Sequence, residues 1–183
     1  MKDADNCLSH SNEDDTPMKK IPYGISDFKK LRSDNCVYVD KTRYIERLES
    51  YDDPYIFFLR PRRFGKSLFV SLLDYYYDKN SADDFDALFG DYYIGQHPTT
   101  LKNRYYILKF NFSGMNTSNK ELLLETFTKS IVKNLDDFLK KYKFSLNYDT
   151  TGMPSSIFDS FLANVVGYRC LRKDSKHLNC GRL

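Results

Sequence analysis

Apolar residues in this chain come in short bursts, and their spacing changes from one burst to the next. In "SDFKKLRSD" Phe28 and Leu31 lie three apart behind Ser26 or Asp27, which predicts a short capped helix. "CVYVD", Cys36–Asp40, alternates in the β-branched and aromatic manner of a short strand. Thr42 is placed to cap a second helix carrying Tyr44, Ile45 and Leu48 on one side, and "SYDDP" breaks it. "YIFFL", Tyr55–Leu59, is five consecutive apolar residues between Pro54 and Pro61, the pattern of a buried strand. Apolar positions 68, 69, 72, 73 and 76 in "GKSLFVSLLDYYYD" have helical spacing, with the three tyrosines 75–77 as packing material. A short helix and an irregular connection are expected in "ADDFDALFGDYYIGQHP".

"RYYILKFNFSG", Arg104–Gly114, is dense enough in apolar and aromatic residues for a second buried strand. A long helix follows from about Lys120 to Lys143, striped by Leu123, Phe127, Ile131, Leu135, Phe138 and Tyr142. After the loop "SLNYDTTGMP", the segment "SSIFDSFLANVVG" predicts another helix, capped by Ser155 or Ser156 and stopped at Gly167. Residues 1–18 contain almost nothing apolar and read as a disordered acidic tail, while 167–183 read as an irregular basic tail. The ordered body is then 19–166, and no internal repeat is visible.

Composition narrows the class. At 183 residues the chain suffices for one domain with a core, or for most of one. Its 41% hydrophobic and 29% charged residues suit a soluble globular protein, and 15 Tyr and 14 Phe make it rich in aromatics without any Trp. No apolar run approaches the roughly 18–20 residues of a membrane span. The start "MKDADNCLSHSNEDDTPM" has neither the basic opening nor the apolar stretch of a signal peptide, so no membrane partner and a cytoplasmic location are expected. Cys7, Cys36, Cys170 and Cys180 are scattered without a disulfide-like rhythm and read as free thiols; Cys170, His177 and Cys180 lack the tight pairs of a zinc site. Five acids against Lys2 give residues 1–18 a net charge of −4, leaving +7 for the rest. That mild basicity tolerates polyanions without indicating nucleic acid.

The chemistry concentrates in "YIFFLRPRRFGKSLFVSLL". Gly65-Lys66-Ser67 ends a G-x-x-x-x-G-K-[ST] spacing whose first glycine is replaced by Arg60. Alone, the tripeptide would occur by chance in roughly one chain in ten of this length. Its setting between an expected strand and an expected helix is the arrangement a phosphate-binding loop needs. Loop and first-turn amides point at a phosphate, Gly65 lets the backbone come close, Lys66 supplies a charge to the β- and γ-phosphates, and the Ser67 hydroxyl is a Mg²⁺ ligand. Pro61 must set the turn that the missing glycine would have eased, pressing Arg60 toward extended geometry. Arg62 and Arg63 would frame the loop with positive charge; a merely basic surface turn is the competing view of "RPRR".

Taken with "IPYGISDFKKLRSDNCVYVDKTRYIERL" before it and "YYILKFNFSG" after it, this stretch resembles the AAA-ATPase-like family, found mainly in bacteria and often joined to a PD-(D/E)XK nuclease-like domain. The likeness covers roughly Ile21 to Val166. It implies an α/β fold, a P-loop NTPase-like parallel sheet flanked by helices. It also implies ATP and Mg²⁺ as ligands, with Arg60, Pro61, Arg62, Arg63, Phe64, Gly65, Lys66 and Ser67 as the phosphate loop. Asp40 and Lys41 match the family's Asp-Lys pair, as supports of the site or as a salt bridge or helix start.

Family members continue into an apolar strand ending in an Asp-Glu-type segment, the acidic partner of the phosphate loop. "GYRCLRKDSKHLNCGRL" stands in its place, so the sheet is expected to be incomplete before that strand, with the chain cut short or frame-shifted near Gly167. ATP binding with weak or no hydrolysis follows, no catalytic residue can be assigned, and the unfilled sheet edges would promote self-association. A nucleic-acid-binding fragment using the RPRR loop, and a remnant or interaction module without a ligand, are the rival expectations.

Overall fold

The computed structural model describes residues 19–51, 53 and 55–174, with side chains as far as Gly167. The expected acidic tail 1–18 and the end of the basic tail lie outside the described residues. Seven α-helices are described in chain order: α1 (Phe28–Ser33), α2 (Tyr44–Glu49), α3 (Lys66–Tyr77), α4 (Phe85–Phe89), α5 (Tyr93–Gln96), α6 (Lys120–Tyr142) and α7 (Pro154–Asp174). A 3₁₀ turn, Lys79–Ser81, follows α3. The described residues form two compact units, one of residues 19–76 with 83–100, the other of 77–82 with 101–174.

The first unit is built on aromatic packing. Asp27 caps α1 by accepting a hydrogen bond from the Lys30 amide at 2.8 Å, which turns Phe28 and Leu31 inward, both fully buried. Phe28 stacks on Phe89 of α4 (5.2 Å) and meets Tyr38 edge-on (5.4 Å), and Tyr38 meets Tyr92 (5.3 Å). Tyr76 of α3 lies fully buried against Phe85 and Phe89, its hydroxyl accepting from the Thr99 amide at 2.8 Å. Of the three consecutive tyrosines, this one is core, as the helical spacing predicts. Arg32 ties α1 to the α4–α5 corner through Asp91 (2.7 Å) and the Tyr92 hydroxyl (3.1 Å).

The second unit is a helical hairpin, α6 against α7. Asn119 caps α6 through the Leu122 amide (2.7 Å), and Lys143 ends it in the left-handed conformation (φ 54°). Ile131, Leu135, Phe138, Leu139 and Tyr142 pack on Ile157 and Phe161 of α7. Burying side chains of this size stabilises by about 1.5–3 kcal/mol each before conformational entropy is subtracted. Asp78, only 1% exposed, is held at the edge of this unit by the Tyr142 hydroxyl (2.9 Å), the Asn80 amide (3.0 Å) and the Lys141 ammonium (2.6 Å). The Tyr142 hydroxyl in turn accepts from the Ile107 amide at 2.7 Å.

The expected parallel sheet is overturned. Among the described residues there is no strand or sheet, and the β-pairing consists of two isolated parallel bridges, Lys20 with Cys36 and Asp78 with Tyr105. "YIFFL" forms no regular element and faces solvent, with Tyr55, Phe57 and Leu59 each more than four-fifths exposed. "CVYVD" likewise forms no strand, Cys36 making only the single bridge. In "RYYILKFNF", Ile107, Leu108 and Phe110 are half-buried, and Leu108 and Phe110 lean on the α6–α7 core without pairing. A strand exists only through consecutive ladder hydrogen bonds to a neighbour, and among the described residues these apolar runs make no more than a single bridge each.

Two helix ends also differ from expectation. Thr42 is not the cap of α2: the residue before the helix is Arg43, without a side-chain cap bond, and the Thr42 hydroxyl serves the Ile94 amide (3.2 Å) instead. α7 opens with Pro154, whose lost amide would have been unsatisfied there anyway. It then runs through Gly167 to Asp174 rather than stopping at the glycine.

Candidate functional site

The residues Arg60–Ser67 form an exposed turn leading into α3. Phe58 stacks on Phe69 (5.1 Å) and the Arg60 guanidinium lies 5.8 Å over the Phe58 ring, which holds the approach to the turn against the helix. Pro61 begins the turn, its carbonyl accepting from the Phe64 amide at 3.4 Å. Arg63 (φ 67°) and Gly65 (φ 75°) both take the left-handed conformation. For arginine this costs about 1–2 kcal/mol; for Gly65 it costs little, and no atom within 4 Å stands where a Cβ would be.

The first backbone bond of α3 runs from the Phe69 amide to the Gly65 carbonyl (2.9 Å). The amides of Lys66, Ser67 and Leu68 therefore precede the helical ladder and have no carbonyl one turn back to bond. The Lys66 ammonium donates to the Arg60 carbonyl at 2.6 Å, closing the turn on itself. Arg63, Gly65, Lys66, Ser67 and Leu68 line one side of a cleft of about 590 Å³, and Pro22–Ser26 line the rest. No carboxylate is among these lining residues.

Of the expected loop residues, Arg63, Gly65, Lys66 and Ser67 thus share the cleft wall, and Arg60 joins them through its carbonyl. Pro61 shapes the turn, while Arg62 and Phe64 point to solvent, Phe64 being 65% exposed. Sequence reasoning missed Pro22–Ser26 as a wall of the same cleft. The signal present was Gly24, which sits at φ 67°.

Asp40 has a different task. Its carboxylate accepts from the Thr42 amide (2.8 Å) and the Tyr93 amide (3.0 Å), joining the approach to α2 to the start of α5. Loss of water around the carboxylate pushes its pKa up. The Tyr93 and Thr42 hydrogen bonds and the Arg43 charge outweigh this and hold it below the usual carboxylate range. Lys41 lines another cleft of about 650 Å³ with Asp40, Arg43, Tyr44, Arg47 and Tyr93, none of which lines the first. The Arg43 guanidinium covers the Tyr93 ring at 4.6 Å, and the Tyr93 hydroxyl donates to Glu46 at 3.1 Å. Asp40 and Lys41 are therefore not brought to the Lys66 cleft. Among the described residues no group of metal-ligating side chains is assembled, and no helix is long and apolar enough to cross a membrane.

The model of the family described as "Predicted AAA-ATPase" matches residues 22–169, and the chain belongs to that family. A relative, the "Uncharacterized protein in vnfD 5'region" of Azotobacter chroococcum mcd 1, is 50% identical over 56 residues, 30% of this chain and 11% of that protein. The match thus spans about a tenth of that relative's length. No solved structure matches.

Proposed function

We propose that this chain binds a nucleoside triphosphate, ATP in the first instance, through Arg60–Ser67. The observation that carries the reading is the Lys66 ammonium, held 2.6 Å from the Arg60 carbonyl at the wall of a cleft that also receives the first turn of α3. A triphosphate offers that ammonium a stronger, charged partner, and the unladdered amides of the helix start favour the same anion. Ser67, exposed on the cleft wall in the first helical turn, fits Mg²⁺ as a hard oxygen donor. The bound cation would supply charge neutralisation at the phosphate oxygens. Membership in an AAA-ATPase family supports the reading.

Hydrolysis by this stretch alone should be slow or absent, because among the described residues no carboxylate lines the cleft to orient an attacking water. Calorimetric titration with ATP and Mg²⁺ tests the binding. Lys66→Ala should lower affinity roughly tenfold or more, the worth of a charge-assisted contact of about 1.5–3 kcal/mol. Equal affinity in the variant would remove the site assignment. Turnover at rates typical of enzymes would show that a carboxylate outside the lining reaches the cleft.

A second reading draws support from the full exposure of the Arg60–Arg63 run: contact with nucleic-acid phosphates. It requires DNA affinity that falls steeply with salt and is indifferent to ATP.

A further inference from the structure

The cleft at Lys66 is chemically two-sided. Both of its cationic lining residues, Arg63 and Lys66, stand on the loop side. The facing strip, Pro22-Tyr23-Gly24-Ile25-Ser26, carries no charge and offers one aromatic ring. Its volume of about 590 Å³ falls within the range of pockets that enclose a whole small ligand. A ligand suited to both sides has an anionic end and a flat, apolar end.

We propose that Pro22–Ser26 is the nucleobase-binding wall of this cleft, with Tyr23 as the stacking platform for the purine ring of a nucleoside triphosphate. The inference rests on the phosphate-loop reading and adds to it the part of the ligand that the phosphate loop leaves unaddressed. Tyr23 is 87% exposed and, among the described residues, its ring packs on no other ring. Beside it Gly24 holds φ 67° with nothing within 4 Å of a would-be Cβ, which leaves open space along the strip.

The wall is anchored at both ends. Upstream, the Lys20 amide donates to the Asn35 carbonyl (3.1 Å) and the Lys20 carbonyl accepts from the Val37 amide (2.8 Å). Downstream, the Asp27 carboxylate accepts from the Tyr75 hydroxyl at 3.1 Å and the Ser71 hydroxyl at 3.4 Å, both on α3. The helix that begins at Lys66 and the strip that presents Tyr23 are thereby fastened together. Stacking is tolerant of base identity, so the wall selects for ring size more than for the pattern of ring substituents. Binding should favour ATP and GTP over CTP and UTP, with little distinction within each pair.

The chain contains no tryptophan, so Tyr23→Trp creates a single indole reporter at the platform. Its emission should be quenched by ATP with Mg²⁺ and left unchanged by tripolyphosphate, which has phosphates and no base. By calorimetry, Tyr23→Ala should weaken ATP about tenfold and leave tripolyphosphate unaffected. Tyr23→Phe should retain ATP affinity, and Lys66→Ala should weaken both ligands. Loss of ATP binding in Tyr23→Ala with unchanged tripolyphosphate binding also shows that the variant is folded. Equal ATP affinity in Tyr23→Ala and the parent chain, while Lys66→Ala is impaired, would overturn the platform and leave the phosphate loop standing. Indifference of both ligands to Lys66→Ala would overturn the phosphate loop, and this inference with it.

Discussion

The Lys66 ammonium donates a hydrogen bond to the carbonyl oxygen of Arg60, six residues earlier, at 2.6 Å. The contact closes the turn without a ligand, so an arriving phosphate must take over the ammonium. Ahead of α3 the turn carries two tryptic sites, after Arg62 and after Arg63, both at exposed residues. ATP with Mg²⁺ should slow cleavage at these bonds in the parent chain and fail to do so in Lys66→Ala, read by mass spectrometry of the fragments. Ser67→Ala should keep protection by metal-free ATP and lose the increment that Mg²⁺ adds.

Asp40 accepts two backbone amides far apart in sequence, from Thr42 and Tyr93. Asp40→Ala should cost about 1–2 kcal/mol in urea unfolding, the range of a lost cap. ATP affinity should be unchanged, since Asp40 does not line the Lys66 cleft. The folded-state pKa lies below the ordinary carboxylate value, so the contribution is present above about pH 4 and lost as acid protonates the folded group. The variant's stability should therefore vary less with pH below that point than the parent's.

Burial pushes the Tyr142 hydroxyl up to about 12, with the Ile107 amide opposing and the Asp78 carboxylate adding to the rise. An unfolded tyrosine ionises near pH 10. Between those values the unfolded chain has released a proton that the folded chain retains, so stability falls as pH rises through this window. Denaturant titrations at stepped alkaline pH should show that fall, with a shallower slope for Tyr142→Phe. A slope unchanged by the substitution would assign the dependence to the other buried tyrosines.

Residues 55–59 present Tyr55, Phe57 and Leu59 to solvent from a stretch with no ladder partner among the described residues. Such a segment pairs readily with a second chain. Sedimentation should show self-association that rises with concentration, and Phe57→Ser with Leu59→Ser should reduce it. An unchanged profile in the double variant would place the contact elsewhere on the surface.

The helices were legible because their determinants are local. Asp27 and Asn119 cap the turns they precede, and the three- and four-residue spacing from Ile131 to Tyr142 is the buried stripe itself. "YIFFL" misled because five apolar residues specify only a preference for burial. Whether they form a strand depends on a partner backbone, which no local pattern encodes. The stripe of α6 also runs ahead of its burial: Leu123 follows the spacing yet is 37% exposed. Within the candidate site, Gly-Lys-Ser could be read from chemistry. The facing strip could not, because some forty residues separate Tyr23 from Lys66, and only folding brings them to one cleft. Asp40 was ambiguous for the same reason, its second partner being Tyr93.

The short stretch 77–82 is excised from the first unit and belongs to the second, where Asp78 meets Lys141 and Tyr142. This has a consequence for the order of events during synthesis. By residue 100 every part of the first unit has been made, whereas Asp78 must wait some forty further residues for the groups that satisfy it. At the pace of translation, about 5–20 residues per second, that interval lasts a few seconds. During it the first unit can settle while a charged loop hangs from its midst, hydrated and unclaimed. A ribosome arrested near residue 140 would present one finished unit and one open thread while α6 is still inside the exit tunnel, and release of the arrest would let α6 gather that thread in.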